Sequence, residues 1–375
     1  MVLAGAAGLA GGCSRKPRGF AGYAFVANQD GRSVAAVDLK SFSLARQISL
    51  EGGPNTVIAH PTRPAAYVLT PQNGTIYEIE AHSLAIKRRT RPLQAAVSMR
   101  LAADGRSLWV LGREPRTLIC LPLDGFHVAA RIPLPHEPGA FELDRRPEGH
   151  MAAVGFPNEG VVTLCDLTAS AVGPPVYAGS RPLIAGFRKD GEHLLVGSGP
   201  DRTITILDVA GGKTVVRLPL PLEPANFCFL PDGGQLFVTG PGMDGVVIVL
   251  PFSTEVGETI LAGRAPGQMA AWTAPPYSYL FVSNPQSGDV TVLDIDTRKL
   301  VVVMHTGGEP SQILFTPDNQ YALVLNHGSG DMAVARMAEF TTGPNSEWAL
   351  RYKRGALFTM VPVGAHSVGA AIVPL

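Results

Sequence analysis

Nine histidines stand at positions 60, 82, 127, 136, 150, 193, 305, 327 and 366. None pair at the spacing a metal site needs: the chain has no H-x-H and no H-E-x-x-H. There is no G-x-S-x-G nucleophile elbow, and no glycine-rich phosphate loop follows a strand and opens a helix. Cys120, Cys165 and Cys228 stand singly, with no C-x-x-C. They read as small buried hydrophobes, so neither a structural disulfide nor a zinc site is expected. Chemistry in this chain must therefore be assembled from side chains far apart in sequence. That requires a fold which gathers distant segments around one point.

The segments supply such a fold by repetition. Between Ala265 and Gly308 four short strands are expected, at Gln268 to Trp272, Tyr279 to Asn284, Asp289 to Ile295 and Leu300 to His305. Runs rich in Val, Leu and aromatics, bounded by Gly, Pro, Asn and Asp, carry the strand and turn signals. The unit recurs. Aligned on one Val of the second strand, the copies fall at Val26, Val68, Val110, Val154, Val196, Val238, Val282 and Val324, in steps of 42 or 44 residues. A period near forty with four strands per unit marks a propeller blade, whose sheet buries its faces only against neighbouring blades.

The segments EPSQILFTPDNQYALVLN (309 to 326) and YLFVSNPQSGDVTVLDI (279 to 295) resemble the YVTN-type β-propeller repeat. The resemblance runs from about Gly22 to Leu375 and implies an all-β fold, a single propeller of four-stranded blades. Proteins of this look include surface and periplasmic propellers, lactonase-type propellers and the haem-binding propellers of dissimilatory nitrite reductases. No His, Asp, Glu or Arg set matches a lactonase site residue by residue, and no C-x-x-C-H marks a fused cytochrome domain. A shared fold does not carry an activity with it.

The N-terminal unit lacks a first strand, and the tail from Ser367 to Val373 reads as one. Eight blades are therefore expected, closed by that tail pairing with Tyr23 to Asn28. Seven is the alternative if the degenerate 137–180 or 320–364 unit packs irregularly. First strands line the channel. One alternate set there is apolar (Val57, Met99, Phe141, Ala185, Phe227, Met269, Ile313, Gly369), and the other is mixed (Thr56, Ser98, Ala140, Ile184, Asn226, Gln268, Gln312, Val368). Asn226, Gln268 and Gln312 fall in successive copies and could form a polar arc at one mouth. The plainer expectation is that these amides bond neighbouring backbone or water. Arg100 and Glu142 fall in adjacent copies and are expected to pair across the channel wall. His60 and His366 are placed in first strands of neighbouring blades, as polar rim residues. A second rim carries Asp30, Asn73, Glu114, Asn158, Asp201, Asp244, Gln286 and Asn326 in the turns between second and third strands, where turn chemistry alone explains Asn and Asp. Loops on a rigid scaffold are also where binding sites are built.

Composition narrows the partners. Lys plus Arg and Asp plus Glu number 31 each, without a basic or acidic tract, so nucleic acid is not expected as a partner. Residues 1 to 21 open with MVLAGAAGLAGGC, which resembles the end of a bacterial lipoprotein signal and implies export with a lipid on Cys13. The apolar run is too short for a spanning helix of ~20 residues. Together these features point to a monomeric, non-enzymatic binding or scaffolding propeller of the bacterial cell envelope. Its partner would be an envelope protein or a small molecule at the channel mouth or loop rim, and the membrane would be reached only through Cys13. The alternatives are a lactonase-type hydrolase at the channel mouth, and a tetrapyrrole or metal carrier; no cofactor is specified by the residues.

Overall fold

The computed structural model describes residues 19–341 and 356–375. They form eight antiparallel sheets, seven of four strands and one whose outer strand is split. Blade 1 takes its inner strand, Ser367–Pro374, from the C-terminus and its other three, Gly22–Asn28, Ser33–Asp38 and Ser43–Ser49, from the N-terminus. Blades 2 to 8 follow in chain order, with inner strands Thr56–Ala59, Ala95–Leu101, Ala140–Leu143, Pro182–Phe187, Asn226–Phe229, Met269–Ala274 and Pro310–Phe315. Each inner strand touches the next around the ring, and Pro310–Phe315 touches Ser367–Pro374. The structure is thus an eight-bladed propeller closed by the expected pairing, with Tyr23 opposite Val373 and Val26 opposite Ala370. The degenerate fourth unit still makes a blade; its irregularity is confined to the edge, where Ala171–Val172 and Val176–Tyr177 pair separately with Val161–Asp166.

The apolar core explains why the middle strands read as continuous hydrophobic runs. Buried side chains fall into eight clusters, one between each pair of adjacent blades. In Gly22–Asn28, Ala24 and Val26 face blade 8, while Phe25 and Ala27 face blade 2. Both faces of the sheet are covered, so no polar face survives in the middle of a blade. The burial changes outward: Ala65–Thr70 is buried throughout, whereas in Ser43–Ser49 only Ile48 is. A register shift recurs between third and fourth strands in blades 1, 2, 5, 6, 7 and 8. Such bulges add local twist and bend the outer strand.

The stretch at Ala265 to Gly308 is blade 7, with strands Met269–Ala274, Tyr277–Asn284, Asp289–Asp294 and Leu300–His305. The outer strand of blade 8 is Leu357–Pro362. Among the described residues no helix is long and apolar enough to cross a membrane. Cys13 and most of residues 339–350 lie outside the described residues.

Candidate functional site

Polar residues that recur from blade to blade do structural work. The Asp that ends the third strand caps the next turn: Asp38 accepts from the Lys40 N–H, Asp166 from Thr168 and Ala169, Asp208 from Gly211 and Asp294 from Thr297. Asp104, Asp190, Asp232 and Asp318 do the same in the turns between first and second strands. These are the local side-chain-to-backbone bonds that Asp offers a turn. The Asn that ends the second strand is a clamp. Asn28 Nδ2 donates to the Val363 carbonyl at 2.6 Å, and Asn326 Nδ2 to the Thr306 carbonyl at 2.8 Å and to Asp331 at 2.6 Å. Each thereby fixes the link that enters its own blade. Gly364 and Gly307 lie against these amides with φ of +117° and +144°, and a Cβ on either would meet the amide nitrogen at 2.9 and 2.5 Å. In the turn rim Asn326 is thus a structural clamp, and Asn73, Asp201 and Asp244 are likewise bonded to their own turns or to the adjoining links.

The polar residues that do not recur remain. On the inner strands, Glu142 is nearly buried and accepts from Arg100 Nε at 3.3 Å and from Arg145 Nη2 at 3.0 Å. The Arg100–Glu142 pair expected from sequence is present and staples blade 3 to blade 4, with Arg145 as a third member that the repeat alignment missed. Three N–H bonds from two guanidiniums occupy most of the acceptor sites of this carboxylate, so it serves as a joint between blades. Gln312 Oε1 accepts the Ala370 N–H at 2.7 Å, joining blades 8 and 1. Gln268 lies one residue outside its strand and is exposed, and Asn226 lines a hollow of about 380 Å³ between blades 6 and 7 together with Asp244, Arg264 and Gln286. Among the described residues neither Asn226 nor Gln268 has a side-chain hydrogen bond, and none links the three amides. Every member of the mixed inner-strand set keeps some solvent exposure, while Val57, Met99, Phe141 and Ile313 of the apolar set are buried.

The two rim histidines fall differently from the expectation. His60 follows Thr56–Ala59 in a turn, is buried, and its Nδ1 accepts from the Thr62 and Arg63 N–H groups at 3.1 and 3.0 Å. It does for that turn what Asp does elsewhere. Burial, helped by Arg63, holds its pKa below the usual histidine range, as suits an acceptor ring. His366 precedes Ser367–Pro374 on the opposite face, in a left-handed conformation with φ of +54°. There it meets two residues from other parts of the chain. Its Nδ1 lies 2.5 Å from Asp30 Oδ2, and its ring stacks on His327 with centroids 4.6 Å apart. His327 Nδ1 lies 3.3 Å from the Ser367 carbonyl.

This Asp30–His366–His327 cluster sits on the face that carries the second-to-third-strand turns, beside the joint between chain ends. Acceptors next to both Nδ1 atoms favour the tautomers that carry hydrogen there, leaving each Nε2 a lone pair. An imidazole anchored through Nδ1 to a carboxylate or carbonyl is poised as a base, a hydrogen-bond acceptor or a metal ligand. Sequence reading named Asp30 and His366 but missed His327, and no local signal joins the three: the contact exists only because the ring closes. The described residues also hold Asp190, Glu192 and His193 within metal-ligand reach of one another. There Arg188, itself buried, already pairs with both carboxylates.

Neither a protein-family model nor a curated protein matches the chain. Solved structures do. One similar structure is a dihydro-haem d1 dehydrogenase, NirN, in complex with DHE: identity is 13%, covering 95% of this chain and 76% of that one, with a TM-score of 0.74. Kuenenia stuttgartiensis hydrazine synthase has 14% identity over 76% of this chain and 96% of that one, with a TM-score of 0.58. A functionally unknown protein from Desulfotomaculum acetoxidans DSM 771 has 12% identity over 94% and 99%, with a TM-score of 0.60. At these identities the likeness is one of fold, and it agrees that the chain is a β-propeller similar to NirN.

Proposed function

We propose that the protein is a non-enzymatic binding propeller of the cell envelope which takes a small molecule at the turn-bearing mouth of its channel. One observation carries this reading. The charged groups of the inner wall are engaged with one another, whereas the polar groups at the mouth are unspent: Nε2 of His327 and His366, whose rings are held through Nδ1, and the amides of Asn226 and Gln268. Unspent, pre-oriented groups on a rigid ring are what a binding site requires. Extracytoplasmic placement, with a lipid on Cys13, rests on the signal-like N-terminus.

A second reading has a specific observation behind it. NirN, similar in fold, was solved with DHE bound, and the stacked histidines here present two imidazole nitrogens at a mouth. A tetrapyrrole or a metal complex would be held through those nitrogens. One experiment separates the readings. The protein is purified from its host envelope and analysed by native mass spectrometry beside a His327→Ala/His366→Ala variant, and both are titrated with haemin. A bound mass lost in the variant supports the mouth as a binding site. A haemin absorbance band that needs the histidines supports the tetrapyrrole. No bound mass, together with steady turnover of a lactone panel, would discard both in favour of a hydrolase.

A further inference from the structure

On the face opposite the histidines, a hollow of about 450 Å³ opens between blades 7 and 8. Its walls are aromatic. Trp272 stacks on Tyr279 with centroids 5.8 Å apart and planes 10° from parallel, and Tyr277 and Tyr321 complete the sides. Two N–H donors at this hollow have no acceptor. Trp272 is 4% exposed and its Nε1 is buried and unpartnered, and Arg336 Nε is likewise buried and unpartnered. A donor cut off from water without an acceptor is costly to maintain; of the buried side-chain polar atoms left without a partner among the described residues, these two belong to residues that line one hollow.

Arg336 also stands apart in charge. Arg88, Arg146, Arg188 and Arg298, partly or wholly buried arginines of this turn face, each hold a carboxylate: Glu78, Asp144, Asp190 and Glu258. Arg336 has none among the described residues. Its guanidinium lies over the Phe358 ring at 3.8 Å, which fixes its plane and occupies one π-face. The two terminal Nη groups have no carboxylate among the described residues, and their edge matches a carboxylate in a two-bond fork.

We propose that this hollow is a second binding site, for a flat aromatic carboxylate whose ring lies among Trp272, Tyr277 and Tyr321 and whose carboxylate reaches Arg336. The volume suits a ligand of one or two rings. The site shares no residue with the histidine mouth and does not depend on what binds there.

The probes are 4-nitrobenzoate and its neutral isostere 4-nitrobenzamide, titrated into the full chain by calorimetry, with tryptophan emission followed in parallel. The nitrobenzoate is expected to bind saturably and quench emission, and the amide to bind at least 10-fold more weakly. Arg336→Gln is expected to weaken nitrobenzoate at least 10-fold, and Gln320→Trp, an exposed rim change that blocks the opening, to do the same. Trp272→Phe should remove the saturable quenching. Absence of saturation, equal affinity for the two probes, or unchanged affinity in Gln320→Trp would overturn the proposal. Should Arg336→Gln not fold, the neutral probe and the rim variant still decide the matter.

Discussion

Removing residues 365–375 tests the joint on which the ring depends. The deletion takes away the whole inner strand of blade 1 and its register from Gly22↔Pro374 to Asn28↔Ser367. Val373 is fully buried in the cluster between blades 1 and 2, and Ala370 and Ala371 are nearly so. Losing the Val373 side chain alone should cost ~2 kcal/mol, from transfer of its carbons plus the cavity left against Phe25, Val57 and Tyr77. The two alanines and the half-buried Val368 and Ile372 add apolar area at ~25 cal/mol per Å². Gln312 loses the N–H it accepts, and Gly22–Asn28 becomes an open sheet edge. The side-chain part alone comes to about 5 kcal/mol, comparable with the ~5–15 kcal/mol net stability of ordinary domains. At a few degrees per kcal/mol the melting temperature should fall by about 10 °C or more. The assay is thermal melting by circular dichroism with size-exclusion chromatography of the same samples. Val373→Ala serves as the graded control, and a synthetic 365–375 peptide is added in trans. Aggregation or the lowered melting point, partly restored by the peptide, is the expected result. A truncated protein that stays monomeric and melts within a degree or two of the full chain would refute the reasoning.

Three further outcomes can be checked. Asn326→Ala should destabilise by ~1–3 kcal/mol in a urea titration, since the Thr306 carbonyl and Asp331 lose their buried donor; an unchanged midpoint would mean that the clamp is dispensable. Arg100 and Glu142 should couple by no more than ~1 kcal/mol in a double-mutant cycle, because the arginine side chain is 40% exposed and solvent screens the pair; a coupling several times larger would show the joint to be a true buried pair. Burial pushes the Cys165 and Cys228 thiols up to about 11 and the Tyr67 and Tyr279 hydroxyls up to about 12. All four keep their protons longer in the folded state than in the unfolded state. Their contribution is therefore fully present below pH 9 and is lost as pH rises through 9 to 12. The urea midpoint should fall over that range, and Cys165→Val/Cys228→Val should flatten the early part of the fall; a midpoint level to pH 11 would contradict these assignments.

How much was legible in the sequence follows from which interactions are local. Strand positions, blade number and closure are written in the apolar period, because every blade must bury both faces against copies of itself. The Asp of the repeat is legible as a turn residue, since its partners lie two or three residues away; the Asn clamp is not, because Asn28 and Asn326 bond carbonyls of the link from the preceding blade rather than of their own turn. The Arg100–Glu142 pair was readable because repeats align neighbouring inner strands. Exact strand ends were less so: Gln268 falls just outside its strand, and His60 and His366 fall in turns, where a single residue decides between ladder and turn bonding.

The candidate sites were not written in any period. Asp30 and His366 lie at opposite ends of the chain and meet only when Ser367–Pro374 completes blade 1. His327 joins them from the neighbouring blade. Trp272 and Arg336 likewise belong to different blades and share a hollow only because blades 7 and 8 pack face to face. By itself the sequence determined the ring, because hydrophobic burial acts on average pattern and tolerates exchange among Val, Leu and Ile. Only the tertiary structure decided which non-recurring polar groups meet and which are left without partners. Hydrogen bonding and ion pairing act between particular atoms at about 3 Å, a scale that no repeat length encodes.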